Sequence, residues 1–368
     1  VRYLLQTDIL RTLLEKGARI TVLTQAASDP LQRFLGALGV SIDYIPAADT
    51  ARYQSASRLM AALRFIRHYT HAQFVQTSED HYQIAVRDSL AGKAGLTTRI
   101  YYRLLRITIL AARRFRWIRR KILEVESSRF VPESYRAAMK RHRPDLLVTT
   151  SLGTFNYDQY AMRAAREEGI PISTVILSWD NTTSLGYPGA PVDHVIAWTD
   201  VMKRELIEFN DIQADRINVG GIAHWDIYFR EDPDFDRDAF KRSLGLDPAK
   251  RTILIATKSP AAYAYNPNLA KILAEAMRRR ALPNDCEILI RVHPLHYRFE
   301  NGRPVYGSLI DCYRKLADQY AEIVLNEPDI RNGTMDYDMA EDEVVSIARL
   351  LRSTDVLVNV FSTMNIEG

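Results

Sequence analysis

The sequence predicts an α/β protein made of two doubly wound, Rossmann-like domains. Three observations carry this reading. Short runs of β-branched and aliphatic residues recur along the chain, separated by stretches of helical periodicity, as parallel strands joined by crossover helices would. A length of 368 residues suits roughly two domains of about 150 residues each. A charged, turn-prone segment, Arg230-Glu231-Asp232-Pro233-Asp234-Phe235-Asp236, interrupts the alternation. The expected domains are therefore 1–235 and 236–368.

Leu4, Leu5, Ile9, Leu10, Leu13 and Leu14 recur at helical spacing over 3–16, and Gly17 ends that helix. Strands follow at 20–24 and 41–45. Helices at 53–71 and 99–124 form a helical, basic insertion over about 53–124, followed by a helix at 132–142. Strands at 145–150, 172–178, 194–198 and 216–219, with helices at 155–168 and 199–209, complete the first domain. The second alternation has strands at 252–257, 287–292, 322–325 and 355–360, linked by helices at 267–280, 307–320 and 341–352. The chain opens inside an α–β alternation and stops a few residues after a strand, where a helix should start. Both ends thus read as truncated, lacking a first strand and a C-terminal tail, so that the second domain is incomplete.

Composition bounds the function. Apolar residues are 47% and charged residues 26%, ordinary for a globular chain. The net charge, 49 − 45 = +4, is too mild for a nucleic-acid binder. Two cysteines, Cys286 and Cys312, exclude a disulfide framework and a Cys-rich zinc site. No uncharged apolar run approaches the roughly 18 residues that span a bilayer. The expectation is a soluble, cytoplasmic protein. No Gly-x-Gly-x-x-Gly, P-loop, Gly-x-Ser-x-Gly or His-Glu-x-x-His pattern occurs. Asp-x-Asp pairs between Asp232 and Asp238 and at Asp336/Asp338 have no strand in front to fix them as cation ligands, and read as solvated loops.

Four segments carry candidate chemistry. Trp179, Asp180 and Asn181 follow the strand 172–178 and offer a stacking face, a charge and a bidentate hydrogen bonder. Asp180 suits a general base or a sugar-hydroxyl acceptor, or it caps backbone amides in a structural turn. In Gly220-Gly221-Ile222-Ala223-His224-Trp225-Asp226, His224 is either a functional imidazole or a packed one. Lys258 and Ser259 follow one strand of the second domain, while Arg291 and His293 end the next. Together they make a cationic sheet edge suited to an anionic ligand, unless they are ordinary surface and packing residues. Finally, the strand 355–360 runs into Ser362 and Thr363, which would cap a new helix. The first-turn amides of that helix suit a phosphate or diphosphate, and Glu367 is placed for ribose hydroxyls.

Residues 99–121 add nine basic residues and no acid, interleaved with Ile, Leu, Phe and Trp. This is either a contact with an anionic membrane surface or a solvated helix packed on the first domain.

In their order along the chain, Ser178-Trp179-Asp180-Asn181, Gly221-Ile222-Ala223-His224-Trp225-Asp226, Arg291-Val292-His293-Pro294 and Ser362-Thr363-Met364-Asn365-Ile366-Glu367 resemble bacterial GT-B-fold transferases of surface-polysaccharide synthesis, including relatives of the CDP-glycerol glycerophosphotransferases. The resemblance runs from about residue 2 to the end. It implies two Rossmann-like domains facing across a cleft, the first binding the acceptor and the second the activated donor. Ser362 and Thr363 would hold donor phosphates, Glu367 the ribose, Arg291 and His293 the neighbourhood of the diphosphate, and Trp179, Asp180 and Asn181 the cleft. Lys258 and Arg291 would steady the departing nucleotide diphosphate, and Asp180 or His224 would be the base. The expected partners are a nucleotide-sugar donor and a glycan or lipid-linked acceptor, with no metal or other cofactor. Rival readings are a CDP-activated polyol-phosphate transferase, a UDP-sugar 2-epimerase and, from another class, a bilobal solute-binding protein.

Overall fold

The computed structural model describes residues 2–367, apart from Gln6, Ala26, Ser28, Ala56, 92–94, Phe155, Asn156, Asn284, 301–302, Asp329, 332–337, 340–341, Phe361 and Thr363. The chain divides into two compact units, Val1–Gln25 with Val40–Ala223, and Ala26–Gly39 with His224–Gly368. Both are α/β units with Rossmann-like parallel sheets.

In the first unit, β1 (Thr21–Thr24) and β2 (Ser41–Tyr44) pair in parallel. A separate parallel sheet runs in the order β3 (Leu147–Thr149), β4 (Ile172–Val175), β5 (His194–Ala197), β6 (Ile217–Val219). Among the helices between the two sheets in sequence are Arg58–His68, Gln76–Leu90, Leu96–Arg114 and Arg116–Arg129. They enclose a core of their own around Ile66, Tyr82, Leu105, Ile109, Ala112 and Ile122. The single helix expected over 99–124 is two. Phe115 takes an extended backbone (φ −117°, ψ 111°) between them. The Arg119 guanidinium reaches back to the carbonyls of Ala112 (2.7 Å) and Arg113 (3.1 Å). It thereby satisfies acceptors that a helix end leaves orphaned.

One buried cluster ties this insertion to the β3–β6 sheet unit. Arg67 donates to Glu126 (2.8 Å), to Gln159 (2.8 Å) and to the carbonyl of Tyr187 (3.0 Å). Arg163 donates to Gln159 (3.0 Å) and to the carbonyl of Gly189 (2.9 Å), and pairs with Glu126 at 3.2 Å. Arg67 is 4% exposed and Glu126 1%.

The second unit carries a parallel sheet in the order β11-β8-β7-β14. Its strands are β7 (Arg251–Ala256), β8 (Cys286–Arg291), β11 (Ile323–Asn326) and β14 (Val356–Asn359). Two-residue antiparallel pairs, β9 (Phe299–Glu300) with β10 (Arg303–Pro304) and β12 (Ile330–Arg331) with β13 (Asp338–Met339), lie outside it. β7 and β8 read as near-continuous apolar runs because both sheet faces are covered. Ile253, Ile255, Ile288 and Ile290 pack against Ala270, Ala274 and Met277 of the helix Asn266–Arg278 and Tyr313 of the helix Gly307–Gln319. Leu254 and Leu289, pointing the opposite way, meet Leu246 and Leu350.

The charged segment around 230–250 holds more order than its composition suggests. Asp232 forms a two-pronged pair with Arg349 (2.8 and 2.9 Å). Asp236 caps a helix, Arg237–Ser243, by accepting from the amides of Asp238 (2.9 Å) and Ala239 (3.1 Å). Asp336 lies outside the described residues.

Glu126→Gln should lower the unfolding free energy by about 3–5 kcal/mol, because two buried guanidiniums lose their counter-charge. Urea denaturation checks this, and a change below about 1 kcal/mol would mean the cluster is solvated.

Candidate functional site

The parallel order of β8, β7 and β14 brings their carboxyl ends to one edge, with neighbouring strands about 4.8 Å apart. Lys258 and Ser259 follow β7, Arg291 and His293 end β8, and Ser362 follows β14. Thr363 lies outside the described residues. The edge is stitched together by side chains. Thr257 Oγ1 accepts from the His293 amide at 2.8 Å. Asn266, fully buried, clamps both backbone groups of Lys258, accepting from its N–H (3.1 Å) and donating to its C=O (3.2 Å). Sequence reasoning passed over Asn266, since the clamp spans eight residues and leaves no local pattern.

His293 is held as a hydrogen-bond donor. Burial, and secondarily His296, pushes its imidazole from 6.5 to about 4, so it is neutral at neutral pH. Its Nδ1 accepts from the Leu295 amide at 3.1 Å, which assigns the ring proton to Nε2. Arg291 is differently engaged. It is buried, donates to Asn326 Oδ1 at 2.5 Å and forms an ion pair with Glu343 of the helix Asp342–Arg352. Its charge binds β8 to β11 and to that helix. Asn359, the last residue of β14, sits opposite Ala256, and its amide oxygen and nitrogen are both buried with no hydrogen-bond partner among the described residues. Buried amides almost always have a partner, so Asn359 is a polar group that the described residues leave unsatisfied at this edge, which residue type alone does not signal.

Ser362 Oγ accepts from the Met364 amide (3.3 Å) at the start of the short helix Met364–Glu367. Glu367 accepts from the Tyr228 hydroxyl at 2.6 Å, leaving its other carboxylate oxygen without a described bond. Tyr228 belongs to the short helix Asp226–Phe229. Just before it, His224 lies in a 3₁₀ turn with its ring edge-on to Trp225 (centroids 5.7 Å apart). Burial lowers its imidazole from 6.5 to about 4. The ring is therefore neutral at neutral pH and a weaker proton acceptor than a solvated imidazole.

In the first unit, the segment after β4 forms a tight turn. Asp180 receives the Ser178 hydroxyl (2.6 Å) on one carboxylate oxygen and the Ser184 hydroxyl (3.2 Å) on the other. Asn181, 5% exposed, accepts from the Ser178 amide at 3.1 Å and so closes the turn from within. Trp179 is 56% exposed. Thr182 is anchored by its hydroxyl to Glu205 at 2.5 Å. Gly186 follows at φ +78°, where a Cβ would lie 2.2 Å from the His68 carbonyl oxygen. Only glycine fits there, and it sets the path of the loop behind the turn. Asn181 is therefore structural, whereas Trp179 and the Asp180 carboxylate are the parts of this turn available for ligand contact.

No protein-family model matches the sequence, and no curated protein matches it. Among solved structures, the chain is similar to the S. aureus MnaA–UDP co-structure (14% identity, TM-score 0.42, 64% of this chain and 57% of that one). It is likewise similar to UDP-GlcNAc 2-epimerase from Methanocaldococcus jannaschii (14%, 0.42, 64% and 61%) and to the wall teichoic acid polymerase TagF (12%, 0.32, 74% and 77%). The chain thus spans 57% and 61% of the lengths of the first two.

The depressed imidazoles have a thermodynamic consequence. With folded-state values below 6.5, the unfolded chain binds more protons between pH 6.5 and about 4, so His224 and His293 make stability fall as pH falls through that window. NMR titration should place both midpoints near 4. Midpoints near 6.5 would show both rings solvated.

Proposed function

We propose that the chain is a GT-B-type, metal-independent glycosyltransferase. In this reading it moves a sugar from a nucleotide-diphosphate donor to a glycan or lipid-linked acceptor of cell-surface polysaccharide. The observation that carries the reading is the carboxyl edge of β8-β7-β14. There Lys258, Ser259, His293 and Ser362 follow three adjacent strand ends, His293 carries its ring proton on Nε2, and the Asn359 amide at the end of β14 has no partner among the described residues. Ligands of open parallel sheets bind beyond the carboxyl ends of the strands, and such donors suit a diphosphate. The four-segment resemblance in sequence supports the same assignment.

Within the proposal, residues 236–368 hold the donor and residues 1–235 the acceptor. Lys258, Ser259, His293 and Ser362, with Thr363, bind the donor phosphates and stabilise the negative charge that grows on the nucleotide diphosphate as the glycosidic bond breaks. Arg291 acts through Asn326 and Glu343 as a positioning residue for this edge. Glu367 accepts from the ribose with its second oxygen, its first being held by Tyr228. Trp179 stacks on the acceptor, Asn181 shapes the turn, and Asp180 or His224 removes the acceptor proton.

Thermal-shift and calorimetric titrations with UDP, CDP, GDP and TDP in EDTA test the donor site. One nucleotide should stabilise the protein without metal, and Ser362→Ala with Lys258→Ala should weaken it by at least about tenfold. Preference for CDP would move the assignment to polyol-phosphate transfer. Absence of any nucleotide binding would sink both readings and favour a bilobal solute-binding protein. Asp180→Asn keeps one acceptor oxygen for the turn and replaces the other, which receives a serine hydroxyl, by an amide donor. It should lower turnover by about 100-fold or more with nucleotide affinity unchanged, if Asp180 is the base. Unchanged turnover would pass that role to His224.

A further inference from the structure

The helix Leu96–Arg114 divides its arginines between two fates. Arg106 and Arg113 turn inward and share Glu79, each at 2.8 Å. In the next helix Arg119 pairs with Asp211 at 2.8 Å. These are structural charges, and they account for part of the basic stretch. Leu105, Ile109 and Ala112 fill the core on the same side.

The opposite face is of another kind. Leu96, Ile100, Leu104, Ile107 and Leu110 are all exposed, Leu104 and Ile107 at 58% each. They are spaced three and four residues apart and so form one stripe. Arg99, Arg103 and Arg114 fall along the same stripe, are exposed and make no ion pair among the described residues. Just beyond the break, Trp117 is 68% exposed. From Ser89 to Leu123 there is no acidic residue. Isolated surface leucines need no explanation, but a five-residue apolar stripe on one helix does.

We propose that this face docks on an anionic lipid bilayer, lying in the interface with the apolar stripe sunk among the acyl chains and the arginines at the headgroups. Charge decides the occupant. A second copy presenting the same face would bury these three guanidiniums against a surface with no acid of its own. An anionic bilayer surface neutralises them and takes the leucines and isoleucines at the same time. No helix of the described residues is long and apolar enough to cross the membrane, so the contact is peripheral. The inference stands apart from the nucleotide reading, because it concerns different residues and a different ligand.

Cosedimentation with vesicles of phosphatidylcholine alone, and of phosphatidylcholine mixed with phosphatidylglycerol, tests it. The chain should bind the anionic vesicles, release from them at roughly 1 M salt, where screening falls to about 3 Å, and show a blue shift of Trp117 fluorescence. That shift should vanish in Trp117→Phe. Arg99→Gln with Arg103→Gln and Arg114→Gln should weaken binding about fivefold for each charge removed. Leu104→Ser with Ile107→Ser should also abolish vesicle binding while leaving the melting temperature unchanged, since neither residue contributes to the core. Absence of binding to anionic vesicles, or equal binding to neutral ones, would overturn the proposal. So would a dimer in sedimentation velocity that the serine pair dissolves without any effect on vesicles.

Discussion

A single carboxylate, Glu126, lies between two buried guanidiniums, and much of the first unit is arranged around it. Arg67 comes from the helix Arg58–His68, Glu126 from Arg116–Arg129 and Arg163 from Asp158–Glu167, three elements far apart in sequence. One negative charge does not balance two positive ones. The remainder is met by carbonyl oxygens, those of Tyr187 and Gly189 among them, and by the shared Gln159 side chain. Burial of such a cluster is tolerable only when every donor is met, which forces the loop carrying those carbonyls into one path. That loop follows directly on the Trp179–Ser184 turn. The Tyr187 amide donates to the Arg67 carbonyl at 3.0 Å, and Asn210 donates to the Gly186 carbonyl at 3.2 Å. The exposure of Trp179 and the orientation of Asp180 thus depend on a cluster that contains neither.

The second unit solves a different problem. Its two central strands, β7 and β8, are buried almost throughout, so their chemistry is confined to their ends. Parallel pairing places all the carboxyl ends on one side, and short local clamps then fix each loop. Asn266 holds the backbone of Lys258, Thr257 holds His293, and Leu295 holds the imidazole. The cations that composition places at this edge divide accordingly. Arg291 is spent on Asn326 and Glu343 inside the fold, while His293 presents a neutral N–H.

The basic insertion shows the same division at larger scale. Arg106, Arg113 and Arg119 lie inward, where Glu79 and Asp211 meet them. Their neighbours one turn away remain outside among apolar side chains. A residue's type does not distinguish the two fates. Its position on the helix relative to a core does.

The sequence by itself determined the α/β alternation, the parallel strands of the second unit and the loops that follow them, because these rest on local propensity and on short apolar runs such as Cys286–Arg291, whose six residues suit a strand covered on both faces. Ser362, His293 and Lys258 were legible for the same reason, each standing just past a strand end. Only the tertiary structure decided that Asn181 closes its turn, that Arg291 is tied inside the fold, that Phe115 breaks a helix with Arg119 as its cap, and that Asn359 finds no partner among the described residues. Those outcomes depend on which groups meet across tens of residues, as Arg67 meets Glu126 over a separation of 59. A buried charge or amide is defined by the partner it reaches, and sequence-local patterns carry no record of that partner.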